Sequence, residues 1–312
     1  MDSGKIGEGR GVKTSERSVV AQKRKHSWLV GSLIKLIKEK RLGAAGGIVT
    51  LFLLLIGIFA NFLAPYGMNE TWVGDFIAPP SAEFWLGTDN VGRDLLSRVI
   101  FGARISVIVG LGSSTMATAI SLVIGMVSGY IGGKLDLLVQ RIVDIWMVLP
   151  GLIIMMIMIT IIGPGVWQII IVIGITSGVP GSRIVRSAVI GVKENDYVGV
   201  AVAIGCRASR ILVRHILPNI MAPTIIVFTT RVPNAILVEA SLSFLGFGIP
   251  PPTPSWGGML SGTGRAFMFD APWMVIWPGL ALATVVYAIN MFGDAVRDLL
   301  DPKLRGASDA MG

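Results

Sequence analysis

The chain reads as an all-α membrane protein with six transmembrane helices and both termini on the cytoplasmic side, and three observations predict this. Of its 312 residues, 53% are hydrophobic and only 15% charged, with a mean hydropathy of +0.72; multi-pass membrane proteins have this composition and soluble domains do not. Six apolar stretches of about 20 residues or more recur along it, the length that crosses a hydrocarbon core of roughly 30 Å. The basic residues are sorted by loop. With six crossings, 22 of the 27 Lys and Arg fall in the two tails and the loops 131–141 and 183–218. The opposite side holds only Arg93, Arg98, Arg104 and Arg265, and Arg231 lies inside span five. The positive-inside rule assigns the rich side to the cytoplasm. The same sorting accounts for the net charge of +8 without nucleic acid, since no interleaving of basic and aromatic residues appears.

Residues 1–43 form a basic cytoplasmic tail. Its first two dozen residues, rich in Gly, Ser, Lys and Arg, predict disorder. Between Trp28 and Arg41, Leu29, Leu33, Leu36 and Ile37 fall at helical spacing beside Lys35, Lys38 and Lys40. This predicts an amphipathic helix lying either on anionic lipid or on the protein's own cytoplasmic face. Residues 44–64 carry no charge and form the first span; the run is too long, and too far from the start, for a cleaved signal. A polar extracytoplasmic loop, 65–103, leads to a core of five further spans over 104–295 and a short cytoplasmic tail, 296–312.

Within that core, span two (104–130) is rich in small residues, and Gly125 and Gly129 predict close helix packing. Span three (141–162) contains Pro150-Gly151, a kink, and the turn Gly163-Pro164-Gly165 makes it a hairpin with span four (166–185). Ser177 to Gly181, with Pro180, should loosen span four. Span five (219–246) is interrupted by Pro223 and Pro233, IPPPTPSWGG predicts a stiff extended loop, and span six covers 272–292.

Between spans four and five lies the basic segment 194–219, which has no apolar run long enough to cross. Asn195 or Asp196 can cap a two-turn helix over 197–204, and Gly205 suits the left-handed residue that ends it. Gly199, Ala201 and Ala203 keep that helix slim while Tyr197, Val198 and Val202 offer apolar grip, the character of a docking plug. A second helix over 207–216 should stop before Pro218.

Catalytic and metal chemistry find no support. One cysteine, Cys206, and two distant histidines, His26 and His215, exclude an internal disulfide and disfavour a metal cluster. No phosphate-cradling glycine loop, HExxH or nucleophile triad is present. Met155, Met156 and Met158 read as packing residues rather than a metal path. Arg231 is the exceptional residue, because facing lipid would cost it about 2.5–3.5 kcal/mol. It therefore faces protein or water, either on a substrate path or in an ion pair with Asp144 or Glu239. Asp144 and Arg141 can pair on one helical face, and Glu239 is expected near water at the outer end of span five.

The central segment resembles the EAA loop of ABC-importer permeases. Gly199-Val200-Ala201, Gly205 and Leu217-Pro218 occupy its frame, with Gly199, Val200 and His215 departing from the pattern. The runs LGTDNVGRDLLSRVIFGARIS (86–106), GYIGGKLDLLVQRIVDI (129–145), EASLSFLGFGIPPPTPSWGGML (239–260) and NMFGDAVRDLLDPKLRG (290–306) are similar to the C-type permease of the dipeptide/oligopeptide/nickel importer family. The resemblance covers about 40–306. It implies a type I importer permease in a bacterial or archaeal cytoplasmic membrane, paired with a homologous B-type permease, two ATP-binding subunits and an extracytoplasmic peptide-binding protein. It further implies that this chain binds no cofactor, ATP and Mg belonging to the partners. Residues 195–206 would then be the coupling helix, with Glu194, Asn195, Asp196, Tyr197, Gly199, Ala201, Gly205 and Arg210 in the contact. Nickel chelates and glutathione are alternative substrates within the family, and a stand-alone secondary transporter is the alternative class, although internal repeats and buried acidic ion sites are not evident.

Overall fold

The computed structural model describes residues 40–300, so the surface helix expected over 28–41 lies almost wholly outside the described residues. Helix α1 (Arg41–Ile58) continues after a break at Phe59 into the single turn α2 (Ala60–Leu63). Helix α3 (Leu95–Ile131) begins nine residues before the expected start of span two, because Asp94 accepts bonds from the Ser97 amide (2.8 Å) and hydroxyl (2.7 Å) and so caps it. At 37 residues it is about 55 Å long and must project beyond the hydrocarbon core. The charges of Arg98 and Arg104, which made this stretch read as loop, sit on that projection.

Only Gly132, at φ +70°, separates α3 from α4 (Gly133–Val148), so the expected loop 131–140 is mostly helix. Leu149 is extended before Pro150, and α5 (Gly151–Ile162) leaves at 92° to α4. The expected kink in span three is therefore a right-angled break. Helix α6 (Val166–Lys193) passes unbroken through Pro180 and outruns its expected end by two turns. Arg183 and Arg186, which suggested a boundary, are paired with Asp144 and Asp136 instead. After α7 (Asp196–Ala203) comes α8 (Ala208–Phe244), one continuous helix where a stop before Pro218 and breaks at Pro223 and Pro233 were expected. A π-helical turn, Leu212–Ile216, closed by Leu217 N–H donating to the Leu212 carbonyl, carries the chain past Pro218, which lacks a donor. Two short helices, α9 (Trp256–Leu260) and α10 (Gly262–Ala266), occupy the loop expected to be extended, and α11 (Trp273–Leu300) closes the fold.

Among the described residues five helices are long and apolar enough to cross a membrane, six crossings if α4 and α5 count as one bent span. Their order follows from contacts. Gly57 of α1 abuts Arg104 near the start of α3, so the two are antiparallel. Gly112, Gly125 and Gly129 of α3 face Ile170, Ser182 and Arg186 of α6 in turn, so these helices run parallel. A Cβ on Gly125 would stand 2.6 Å from the Ser182 carbonyl oxygen, which is why this pair packs backbone to backbone. Arg231 of α8 reaches Ser121 while Ile236 reaches Gly110, which makes α8 antiparallel to α3. At one end of the bundle Lys40 meets Asp298 at 2.8 Å, and Lys193 donates to the Tyr130 carbonyl at 2.6 Å. Both ends of the described chain and α7 therefore lie together.

The opposite end is covered by the segments before α3 and after α8. Trp256, 1% exposed, donates to the Val99 carbonyl at 3.0 Å, and Trp273 to the Thr88 carbonyl at 3.2 Å. Arg98 reaches Asp89 at 3.6 Å and the Pro252 carbonyl at 3.3 Å. These long-range contacts make an ordered cap of what the sequence suggests is polar loop.

Candidate functional site

The segment 194–219 folds back on the bundle through one apolar seam. Val198 and Ala201 of α7 are buried against Val185 and Val189 of α6 and Ile211, Ile216 and Ile220 of α8. The opposite side of α7 has no partner among the described residues: Val200 is 60% and Ile204 74% exposed, beside the exposed ring of Tyr197. Residues 197, 200 and 204 share a helical face. Glu194, Asp196, Arg207 and Arg210, all exposed, ring this face with charge.

The local geometry differs from expectation at the start and agrees at the end. Asn195 holds the N-cap position, but its side chain donates to the Val192 carbonyl at 3.0 Å rather than accepting from α7, and Asp196 lies in the first turn. Gly205 has φ +81°, and the Gly205 and Cys206 amides each donate at 3.0 Å, to the Val202 and Ala201 carbonyls. These bonds satisfy the last carbonyls of α7 and need a left-handed residue at 205. Gly199 is exposed with open space where a Cβ would be, so its small size is not required by packing within this chain.

Arg231 sits in a separate niche within the helices. Its Nη2 donates to the Ser121 hydroxyl (3.0 Å) and the Ser177 carbonyl (3.3 Å), and Nη1 lies 3.4 Å from the Thr118 hydroxyl. The ion pairs weighed from sequence do not form. Asp144 is held by Arg183 and, at 3.7 Å, by Arg141. Glu239 is two turns, about 12 Å, further along α8. It is 1% exposed rather than near water, and one carboxylate oxygen accepts from Ser243 at 2.7 Å while the other has no partner among the described residues. Room for the Arg231 side chain comes from Gly181, where a Cβ would overlap its Nη2.

Beside Arg231 is a cavity of about 180 Å³ lined by Ser113, Ser114, Ser177 and Asn234. The Ser113 and Ser114 hydroxyls are buried without a hydrogen-bond partner among the described residues. Sequence reasoning missed both, because serines in a span rich in small residues read as packing. Met155 and Ile159 of α5 belong to the apolar core, and the described residues hold no group of His, Cys, Asp or Glu able to bind a metal.

Comparison with known proteins gives these sites a context. Residues 121–306 match the family described as binding-protein-dependent transport system inner membrane component. The chain is 40% identical over 271 residues to the dipeptide transport system permease protein DppC of Alkalihalophilus pseudofirmus, covering 87% of this chain and 89% of that one. It is 36% identical over 268 residues to the oligopeptide transport system permease protein OppC of Bacillus subtilis, covering 86% and 88%. The glutathione transport system permease protein GsiD of Pectobacterium atrosepticum is also 36% identical over 268 residues, covering 86% and 89%. With a family match over more than half its length and relatives aligned along most of it, the chain belongs to the binding-protein-dependent transport system inner membrane components, multi-pass proteins of the cytoplasmic membrane.

Proposed function

We propose that this chain is a permease subunit of an ATP-driven importer of di- and oligopeptides, forming half of a translocation path and coupled to an ATPase through α7. The exposed apolar face of Tyr197, Val200 and Ile204 carries the coupling assignment. Such a face on a short, charge-ringed helix is left unburied by the described residues and suits insertion into a partner's groove. The contact residues are Glu194, Asn195, Asp196, Tyr197, Gly199, Ala201, Gly205 and Arg210, with Val200 and Ile204 added from the structure. Ala201 supports the contact from beneath, since it is buried.

In this reading both termini and α7 face the cytoplasm, supported by the charge sorting and by α7 sharing one end of the bundle with both ends of the described chain. The partners are a homologous B-type permease, two ATP-binding subunits and an extracytoplasmic peptide-binding protein. ATP and Mg act on the ATPases, this chain itself being neither enzyme nor cofactor binder, and its nonprotein contact is lipid rather than nucleic acid. Arg231 lies on the substrate path. Peptide names on two of the three relatives support the substrate class, and the glutathione name on the third supports a second reading, import of glutathione; nickel chelates stay the less supported member of that alternative.

Val200→Glu in the native host tests the assignment, since it places a charge in the contact without touching the core. Co-purification in mild detergent should lose the ATPase subunits while keeping the second permease, and peptide uptake should stop. Full assembly and uptake would remove the coupling role. A wild-type chain that purifies without any ATPase would instead favour a stand-alone secondary transporter.

A further inference from the structure

Resting on the import reading, we propose that the niche around Arg231, Ser113, Ser114 and Asn234 is a carboxylate-binding site, engaged by the free C-terminal carboxylate of a peptide in transit. Among the described residues Arg231 meets no carboxylate. Its three contacts, at 3.0–3.4 Å, are all to neutral oxygens, and its Nε–H donates to none of them. A half-buried cation within an apolar span is stabilised by a counter-ion, and buried hydroxyls normally have partners. Here the cation and the unpartnered hydroxyls of Ser113 and Ser114, 0% and 1% exposed, border the same cavity.

A carboxylate satisfies both at once. It accepts from the planar guanidinium and from hydroxyl donors, and it brings the missing negative charge. Water can occupy hydroxyl sites but leaves the cation unneutralised. The cavity is reachable from outside the subunit, because Asn234 at its edge and Thr230 one turn before it are exposed on α8. Gly181 fits the same purpose: its missing side chain leaves the space beside α6 that the guanidinium occupies.

The test reads charge selectivity without relying on transport. Asn234→Cys is introduced in a Cys206→Ser chain, and the intact complex in membrane vesicles is labelled with an anionic or a cationic methanethiosulfonate. The anionic reagent should react roughly tenfold faster, a preference lost on adding Arg231→Gln and kept with Arg231→Lys. Alanyl-alanine with a free carboxylate should slow labelling, and its C-terminal amide should not. Equal rates for both reagents, or a preference that survives Arg231→Gln, would overturn the site, as would protection by the amide. The import reading fails separately: a wild-type complex that takes up no peptide would refute it, while anionic preference dependent on Arg231, together with protection by the free carboxylate and not by the amide, would still establish a carboxylate site.

Discussion

The Arg186 guanidinium of α6 forks onto Asp136 of α4, Nε donating to Oδ1 at 2.6 Å and Nη2 to Oδ2 at 2.5 Å. With the Arg183–Asp144 pair it clasps the helix before the right-angled break against the bundle. Both side chains are less than one third exposed, and the paired geometry makes the bond stronger than an ordinary surface ion pair. Asp136→Asn should cost about 1–2 kcal/mol, read as a lower melting temperature of the detergent-purified complex. Arg186→Gln should cost a similar amount, and the double variant should cost less than the sum.

At the α3–α6 seam the tolerance is sterically defined. Gly125→Ala places a methyl 2.6–2.9 Å from backbone atoms of Ser182 and Arg186, which cannot swing aside as a side chain could. The expected loss is about 1–3 kcal/mol, with Gly125→Leu failing to accumulate as folded protein. Gly191→Ala, which meets open space, is the control and should melt like the parent.

Gly205 separates conformation from contact. Nothing lies near its missing side chain, so Gly205→Ala is penalised only by the left-handed backbone, about 1–2 kcal/mol. That penalty falls on the end of α7 alone. The permease should still assemble and melt normally, while ATPase activity stimulated by the binding protein and substrate falls several-fold. An unchanged stimulation would show that the orientation of α7 does not transmit the signal.

Ser243 donates to the buried Glu239 carboxylate at 2.7 Å, and Ser255 donates in turn to the Ser243 hydroxyl at 3.3 Å. Ser243→Ala should destabilise by about 1–3 kcal/mol by stripping that donor from a buried acid. Glu239→Gln in the Ser243→Ala chain should recover part of the loss, since a neutral amide is less costly to bury unpaired than a carboxylate.

Gly181→Ala should act on the Arg231 niche at a distance. Its methyl would occupy the place of Nη2 and push the guanidinium out of its contacts with Ser121 and Ser177. Peptide uptake should fall on the order of tenfold with assembly intact, measured as an increase in KM more than a decrease in kcat. Equal uptake by the parent and the variant would show that the position of Arg231 is immaterial to transport.

Hydrophobic composition, the spacing of apolar runs and the sorting of charge determined the class, the approximate crossings and the position of α7, because each depends on averages over many residues or on local rules such as the left-handed preference of Gly205. Arg231 was legible as exceptional from its place in an apolar run alone. What surrounds it was not, since Ser113, Ser114 and Gly181 lie on other helices and reach it only through the parallel packing of α3 on α6 and the antiparallel crossing of α8. The helix ends were misjudged for a related reason. Arg98, Arg183 and Arg186 look like membrane boundaries when read along the chain, yet each is matched by a carboxylate or carbonyl distant in sequence, so their charges do not end the helices. Burial of Glu239 likewise depended on the segment after α8 folding back over it. The sequence settles which stretches are apolar enough to cross a membrane, because that depends on residue-by-residue hydropathy; the tertiary structure decides which polar groups meet one another, because that is set by helix order and approach.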